Sequence, residues 1–369
     1  MTGRSTPWPG IADDVDQPRA DDGPGGDDTL RERLESAADA VDAPDVVFAV
    51  SRHGRRTLHC AGTAPPPPVP RQDLRYEIGS ASKTFTGLLL AQFVRRGLLT
   101  GGEPAAACLD PGRRTGADPV TLAHLITHTA GLPALPADFY RRALPAWRTN
   151  PYGRYPAERV TDAFLRYRPR HRPGTRWHYS NFGVAVLGHA LSAVTGTAWE
   201  DLLATHVLRP LGLSGTALRA ADPKADAVGH GKDGRTPTLA FDAGGFEAAG
   251  AVRATPHDLL TFLEAHLDPD AFPPADALRA VRTPVLRRGW GHRHVHTVAW
   301  FRHPTDGGPM YFHSGATLGQ QAFLGFRPDT GTALAAMCTR RFRAHDPFVS
   351  TAYGFLAEDW PRTGGPVGE

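Results

Sequence analysis

The sequence predicts an α+β fold: an antiparallel sheet flanked by helices and formed by both chain ends, with a mostly helical domain inserted between them. Three observations lead there. Two runs rich in apolar and β-branched residues, 46–50 and 57–61, flank a His53-Gly54 turn and read as a hairpin. Strand signals return late, near 297–301 and at Met310-Tyr311-Phe312, with a hairpin-like Pro328-Asp329-Thr330-Gly331 turn after them. Between these ends the chain carries helix signals.

In chain order, residues 1–28 hold seven Asp against Arg4 and Arg19 and read as a disordered acidic segment. A sheet domain is expected from 29–96 and 235–369, and a helical domain from 97–234. A short helix is expected near 30–40, ahead of the hairpin. The proline run at 65–68 reads as a stiff connector rather than a ligand for a proline-binding domain. Phe85, Leu88, Leu89, Phe93 and Val94 recur at helical spacing after Ser80. Asp118-Pro119 is expected to open another helix, and residues 199–207 to form one more. Val184, Leu187, Leu191 and Val194 step by three, four and three toward Gly196, and Thr255-Pro256 with Asp258 opens a further helix.

A chain of 369 residues with 41% hydrophobic content can bury a large core, and a net charge of +3 gives no reason to expect nucleic acid as a partner. The sequence shows no membrane span, no Gly-rich phosphate loop and no signal-peptide pattern, so the expected compartment is cytoplasmic. Cys60, Cys108 and Cys338 are widely separated and odd in number, which predicts buried small hydrophobes rather than a disulfide framework or a metal site.

Lys83 is the most informative residue. Only Lys83, Lys224 and Lys232 stand among 41 basic residues. Arginine keeps its proton in a protein, whereas a buried lysine can lose one and act as a base. Ser80 lies three positions earlier, one helical turn away, so the amine and the hydroxyl can meet on one face. Two further motifs follow: Tyr179-Ser180-Asn181, where a loop opens a helix, and His313-Ser314-Gly315, at the end of a strand.

Ser80-Ala81-Ser82-Lys83, Tyr179-Ser180-Asn181 and His313-Ser314-Gly315 appear in the order of the Ser-x-x-Lys, Ser-Asp-Asn and Lys-Thr-Gly elements of β-lactamases and penicillin-binding proteins. With the stretches 77–85, 125–132 and 208–213, the chain resembles the serine β-lactamase-like family: class C β-lactamases, D-aminopeptidases, family VIII esterases and related acyltransferases. The likeness spans roughly residues 45–360 and implies a β-lactamase/transpeptidase-like fold. It implies that Ser80 is the acylated nucleophile, that Lys83 and Tyr179 share acid and base work, and that Asn181 holds the acyl side of the substrate. It also implies an oxyanion hole from the backbone N–H groups of Ser80 and Ala316, and substrate contacts from His313, Ser314 and Gly315. Which of Lys83 and Tyr179 takes the serine proton is left open by residue type.

The chain departs from β-lactamases at His313, where those enzymes carry a charged lysine; histidine is mostly neutral at pH 7. The variant resembles D-aminopeptidases and esterases. The first reading is therefore a serine hydrolase of esters or amides, acting on a small-molecule or peptide acyl substrate without a cofactor. The alternative is a cytoplasmic acyltransferase of natural-product biosynthesis, with an amine or alcohol acceptor and a carrier protein among its partners. A non-catalytic ligand-binding homologue is the third.

Between Arg141 and Arg176 ten arginines stand against Glu158 and Asp162, interleaved with Trp147, Tyr152, Tyr155, Phe164 and Tyr167. This stretch could attract a carboxylate, a phosphate or an acidic carrier protein. The weightier reading is a solvated helix face whose arginine stems cover aromatic rings. His292, His294 and His296 alternate as on a strand face, but with no nearby Cys or carboxylate they are assigned a structural role and no metal.

Overall fold

The computed structural model describes residues 24–358, apart from 115, 148, 170, 221, 223 and 289–293. The strands are β1 (Val46–Arg52), β2 (Arg55–Ala61), β3 (Tyr76–Glu77), β4 (Arg253–Ala254), β5 (Leu286–Arg288), β6 (His294–His296), β7 (Phe301–Pro304), β8 (Pro309–Ala316), β9 (Gln321–Arg327) and β10 (Thr332–Cys338). The α-helices are α1 (Pro24–Asp39), α2 (Ser82–Arg95), α3 (Ala105–Leu109), α4 (Leu122–Ile126), α5 (Phe139–Ala143), α6 (Ala157–Arg166), α7 (Asn181–Thr195), α8 (Trp199–Leu203), α9 (Glu247–Gly250), α10 (Pro256–Leu267), α11 (Ala275–Arg282) and α12 (Phe348–Ala357).

Eight strands form one antiparallel sheet in the order β2-β1-β10-β9-β8-β7-β6-β5, in which the N-terminal hairpin joins the C-terminal strands through the pairing of β1 with β10. Alternation of side chains across the strands divides the core. Val46, Phe48, Val50, Phe323, Leu334 and Ala336 face one layer with residues of α1 and α12, including Leu34, Phe348 and Leu356. Val47, Ala49, Leu324, Phe326, Ala335 and Met337 face the larger core, which continues through α10 and α2 into the helical half. The residues that sequence periodicity assigned to a sheet of both chain ends therefore close one structure rather than two. No single described helix is long and apolar enough to cross a membrane.

The hairpin turn is as expected: Arg52 pairs with Arg55, and His53 and Gly54 take φ of 49° and 83°, the backbone of a two-residue turn. Helix α7 also starts and stops as expected. Ser180 caps it by accepting the N–H of Gly183, and Gly196 ends it at φ 68°. Thr255 caps α10 by accepting the N–H of Asp258.

Several expectations are corrected. Helix α1 begins at Pro24, so residues 24–28 of the segment expected to be disordered are helical; residues 1–23 lie outside the described ones. Helix α4 begins at Leu122, after Pro119, because Thr121 and His124 form a reciprocal cap. Residues 297–300 form a turn between β6 and β7, with Ala299 at φ 73°, and only Phe301 belongs to a strand. Val194 is exposed and Val94 half-buried. Cys338 is buried, but Cys60 and Cys108 are half-buried.

Helix α2 is not amphipathic in place: every residue from Ser82 to Phe93 is buried. It packs against α11, α9, α7 and α8, and Phe85 stacks on Phe262 of α10 at 3.9 Å. Ser80 precedes it in a single 3-10 turn, Gly79–Ala81. That turn lies against β8 with no space between: a Cβ on Gly315 would meet Ile78 O at 1.9 Å and Ser80 N at 2.7 Å, and one on Gly79 would meet Ala316 N at 2.7 Å. Gly315→Ala is therefore expected to lower stability by about 1–3 kcal/mol through overpacking. Urea denaturation measures it, and a wild-type midpoint would show that the two segments can part freely.

Candidate active site

Three segments far apart in sequence meet at Ser80. The first is the 79–81 turn with the start of α2. The second, residues 248–254, is tied to it by four hydrogen bonds: Ile78 N–H to Val252 O (3.0 Å), Val252 N–H to Ser82 Oγ (3.0 Å), Thr86 Oγ1 to Ala248 O (2.7 Å) and Lys83 Nζ to Ala249 O (2.7 Å). The third is the loop before α7. There Ser180 Oγ donates to Pro133 O at 2.6 Å, and the Ser180 N–H donates to His128 Nδ1 at 3.2 Å.

A buried carboxylate sets the cleft wall. Glu77 accepts the Phe241 N–H (2.7 Å), the Thr317 hydroxyl (2.6 Å) and the Arg253 guanidinium (3.2 Å). Arg253 also pairs with Asp226, which in turn pairs with Arg75. One anion just ahead of the nucleophile turn thus anchors both the 241 loop and the end of β8.

Lys83 is fully buried. Burial pushes its amine down to about 7, since an ammonium loses its hydration there and regains only one carbonyl. Its Nζ lies 5.0 Å from the centroid of the Tyr179 ring. The Tyr179 phenol lies beside the Ser80 hydroxyl, and burial holds it well above the usual phenol range although the hydroxyl pulls it down. A neutral amine and a neutral phenol therefore coexist near pH 7.

The surrounding histidines are neutral too. Burial, with the Lys83 amine nearby, pushes His313 down to about 3 and His128 well below its ordinary value. His128 takes a left-handed φ of 58°, its ring lies 4.6 Å from the Tyr179 ring, and its Nδ1 is the acceptor for Ser180, which places its proton on Nε2. His313 Nδ1 meets Ser314 O at 2.7 Å.

A cavity of about 190 Å³ opens at Ser80. Of the residues singled out by sequence, Ser80, Asn181 and Ala316 line it. Lys83 and Tyr179 stand behind Ser80, and Gly315 provides the close backbone approach. His313 is not among its lining residues; it lines a separate cavity of about 10 Å³ with His128 and His296, and Ser314 lines neither cavity. The N–H groups of Ser80 and Ala316 flank one turn, where the first amides of a helix are free to receive negative charge.

Sequence reading missed Tyr152, Phe241 and Phe246, which form the far wall of the cavity, and His128, which holds the Tyr179 loop. Tyr152 was visible only as one ring in the Arg-rich stretch, and residues 241–246 have no periodicity that points inward. In that stretch Arg142 pairs with Asp138, Arg166 with Asp162 and Arg172 with Asp118. His292 lies outside the described residues; His294 meets His303, and His296 accepts from Arg288 Nε at 3.0 Å. Among the described residues no three such side chains are grouped for a metal ion.

The chain is similar to known proteins. A family model described as Beta-lactamase matches residues 30–358. Penicillin-binding protein 4 of Amycolatopsis lactamdurans is 29% identical over 294 residues, 72% of this chain and 72% of that protein. A β-lactamase of Pseudomonas fluorescens is 28% identical over 195 residues, 53% of this chain and 51% of the relative, so the chain spans about half of that relative's length. A solved β-lactamase/D-alanine carboxypeptidase from Pseudomonas syringae superposes with a TM-score of 0.75 at 19% identity, covering 91% of this chain and 100% of the other, which shows the fold.

Replacing Lys83 by Met tests its burial. The folded amine titrates near 7 and the unfolded one near 10.5. Between those values the unfolded state binds more protons, so stability of the wild type rises with pH across that window. Below it the full cost of a buried ammonium remains. Lys83→Met is expected to gain about 1–4 kcal/mol at pH 6, shrinking toward pH 10. Urea midpoints at both pH values measure this, and a pH-independent difference would mean the amine is hydrated in the folded protein.

Proposed function

Because the chain belongs to the β-lactamase family of serine hydrolases, we propose that it cleaves an ester or amide through an acyl-enzyme on Ser80. The observation that carries this is the desolvated Lys83 amine beside a Tyr179 phenol that itself adjoins the Ser80 hydroxyl at an open cavity. A solvated, charged lysine would support no such reading.

Ser80 Oγ attacks the acyl carbon, and its proton passes to the Tyr179–Lys83 pair. Lys83 is the member able to hold that proton near neutrality, since its amine titrates near 7 while the buried phenol resists ionisation. The oxygen that becomes negative meets the backbone N–H groups of Ser80 and Ala316. Collapse breaks the bond to the leaving alcohol or amine, which takes the proton from the pair. Water then repeats the sequence on the Ser80 ester and releases the acid.

The Amycolatopsis and Pseudomonas relatives are named for penicillin binding and for β-lactam cleavage. In this chain the position that resembles the charged lysine of β-lactamases carries His313, which is neutral and is not among the residues lining the cavity. That favours general acyl substrates over β-lactams, whose carboxylate would find no cation there.

Intact-protein mass spectrometry after exposure to activated esters, thioesters, amides and a β-lactam tests the proposal. An adduct on Ser80 that water clears is expected, absent in Ser80→Ala. Its formation rate should rise tenfold per pH unit up to about 7 and then level, because only the neutral amine accepts a proton. Lys83→Arg, which keeps the charge without a removable proton, should slow acylation by about 100-fold or more. Faster clearance by an added amine, with a new amide product, would instead identify acyl transfer. No adduct from any donor would overturn the catalytic reading.

A further inference from the structure

The cavity at Ser80 is walled by Tyr152, Phe241, Phe246 and Leu318, with Asn181 and Thr317 as its polar side chains besides Ser80 itself. Among the described residues that line it there is no carboxylate, guanidinium, ammonium or imidazole. Two ionic groups close to Ser80 in the chain are engaged elsewhere. Glu77 is held by Thr317, Phe241 and Arg253, and Lys83 points to Ala249 O beneath the floor.

The three rings form a rigid wall. Tyr152 meets Phe241 at 5.4 Å and 71° and Phe246 at 5.3 Å and 88°, both edge-to-face, with Phe139 behind at 5.1 Å from Tyr152. The Asn181 side chain lies near the Tyr152 phenol, at the polar end of that ring. Apolar cavities of about 150 Å³ hold a benzene molecule. This one, at about 190 Å³, has room for one aromatic ring on a short linker.

We infer that the acyl group accepted by Ser80 is uncharged and compact, an arylacyl or similarly sized apolar acyl group, and that donors bearing a carboxylate or an ammonium on the acyl group are rejected. This rests on the acyl-enzyme reading above. An ionic acyl group would give up its hydration to a wall with no counter-charge. For an ammonium, attraction to ring faces returns less than the ion loses, and the wall rings are already engaged edge-to-face. The restriction sets this site apart from one built for a substrate carboxylate or a free amino terminus.

The test holds the leaving group constant and varies only the acyl group: p-nitrophenyl phenylacetate, acetate, hydrogen succinate and D-alaninate. The phenylacetyl ester is expected to exceed the succinyl and D-alanyl esters by about 100-fold or more in kcat/KM, each corrected for its spontaneous hydrolysis. Tyr152→Ala should reduce the preference for phenylacetyl over acetyl by about tenfold. Leu318→Lys, which adds a cation at the cavity wall, should raise succinyl relative to phenylacetyl by at least about tenfold, with its thermal midpoint confirming a folded protein. Succinyl or D-alanyl turnover equal to phenylacetyl, with Ser80 acylated throughout, overturns this inference and leaves the acyl-enzyme reading standing. Ser80 acylated by no ester in the set overturns both.

Discussion

The site depends on one backbone contact: β8 lies so close to the 79–81 turn that residue 315 has room for a hydrogen and nothing larger. The contact brings the N–H groups of Ser80 and Ala316 to one side of the cleft, although 236 positions of sequence separate them. It is a contact between main chains, so it varies little with side-chain motion. Glu77, at the end of β3 and next to the same turn, then binds Phe241, Thr317 and Arg253 and fixes the cleft walls relative to that contact.

Burial sets the electrostatics of the site. Helix α2 is enclosed on all sides, so the Lys83 amine loses water and its pKa falls to about 7. The same loss of water keeps Tyr179 protonated and His128 and His313 uncharged. A fixed cation beside Ser80 would hold Lys83 neutral as well, but would also attract anionic substrates. Here the neutrality of the amine comes from desolvation, and the cavity is left without a charge of its own.

Much of the framework was legible in the sequence because it is local. The His53-Gly54 turn, the Ser180 and Thr255 caps and the Gly196 stop each depend on residues within a few positions, and all are present. Errors fell where a local signal competed with another. Pro119 looked like a helix start, but the Thr121 and His124 cap was stronger. The apolar residues at 297–301 looked like a strand, but a left-handed Ala299 turns the chain there. The apolar spacing after Ser80 suggested one buried face, whereas the helix is buried all round, a difference that periodicity cannot register when Thr84, Thr86 and Gln92 bury by hydrogen bonding.

By itself the sequence determined which residues could do chemistry: a serine and a rare lysine one turn apart, a tyrosine and an amide at a helix start, and a glycine at a strand end. Those are properties of residue type and short spacing. Only the tertiary structure decided what they face. It turned His313 into the interior, put Tyr152 from the Arg-rich stretch opposite Phe241 and Phe246, and gave His128 the Ser180 N–H. Such outcomes depend on long-range packing of irregular loops, and a loop's direction follows from the surfaces it must cover rather than from any period in its own residues.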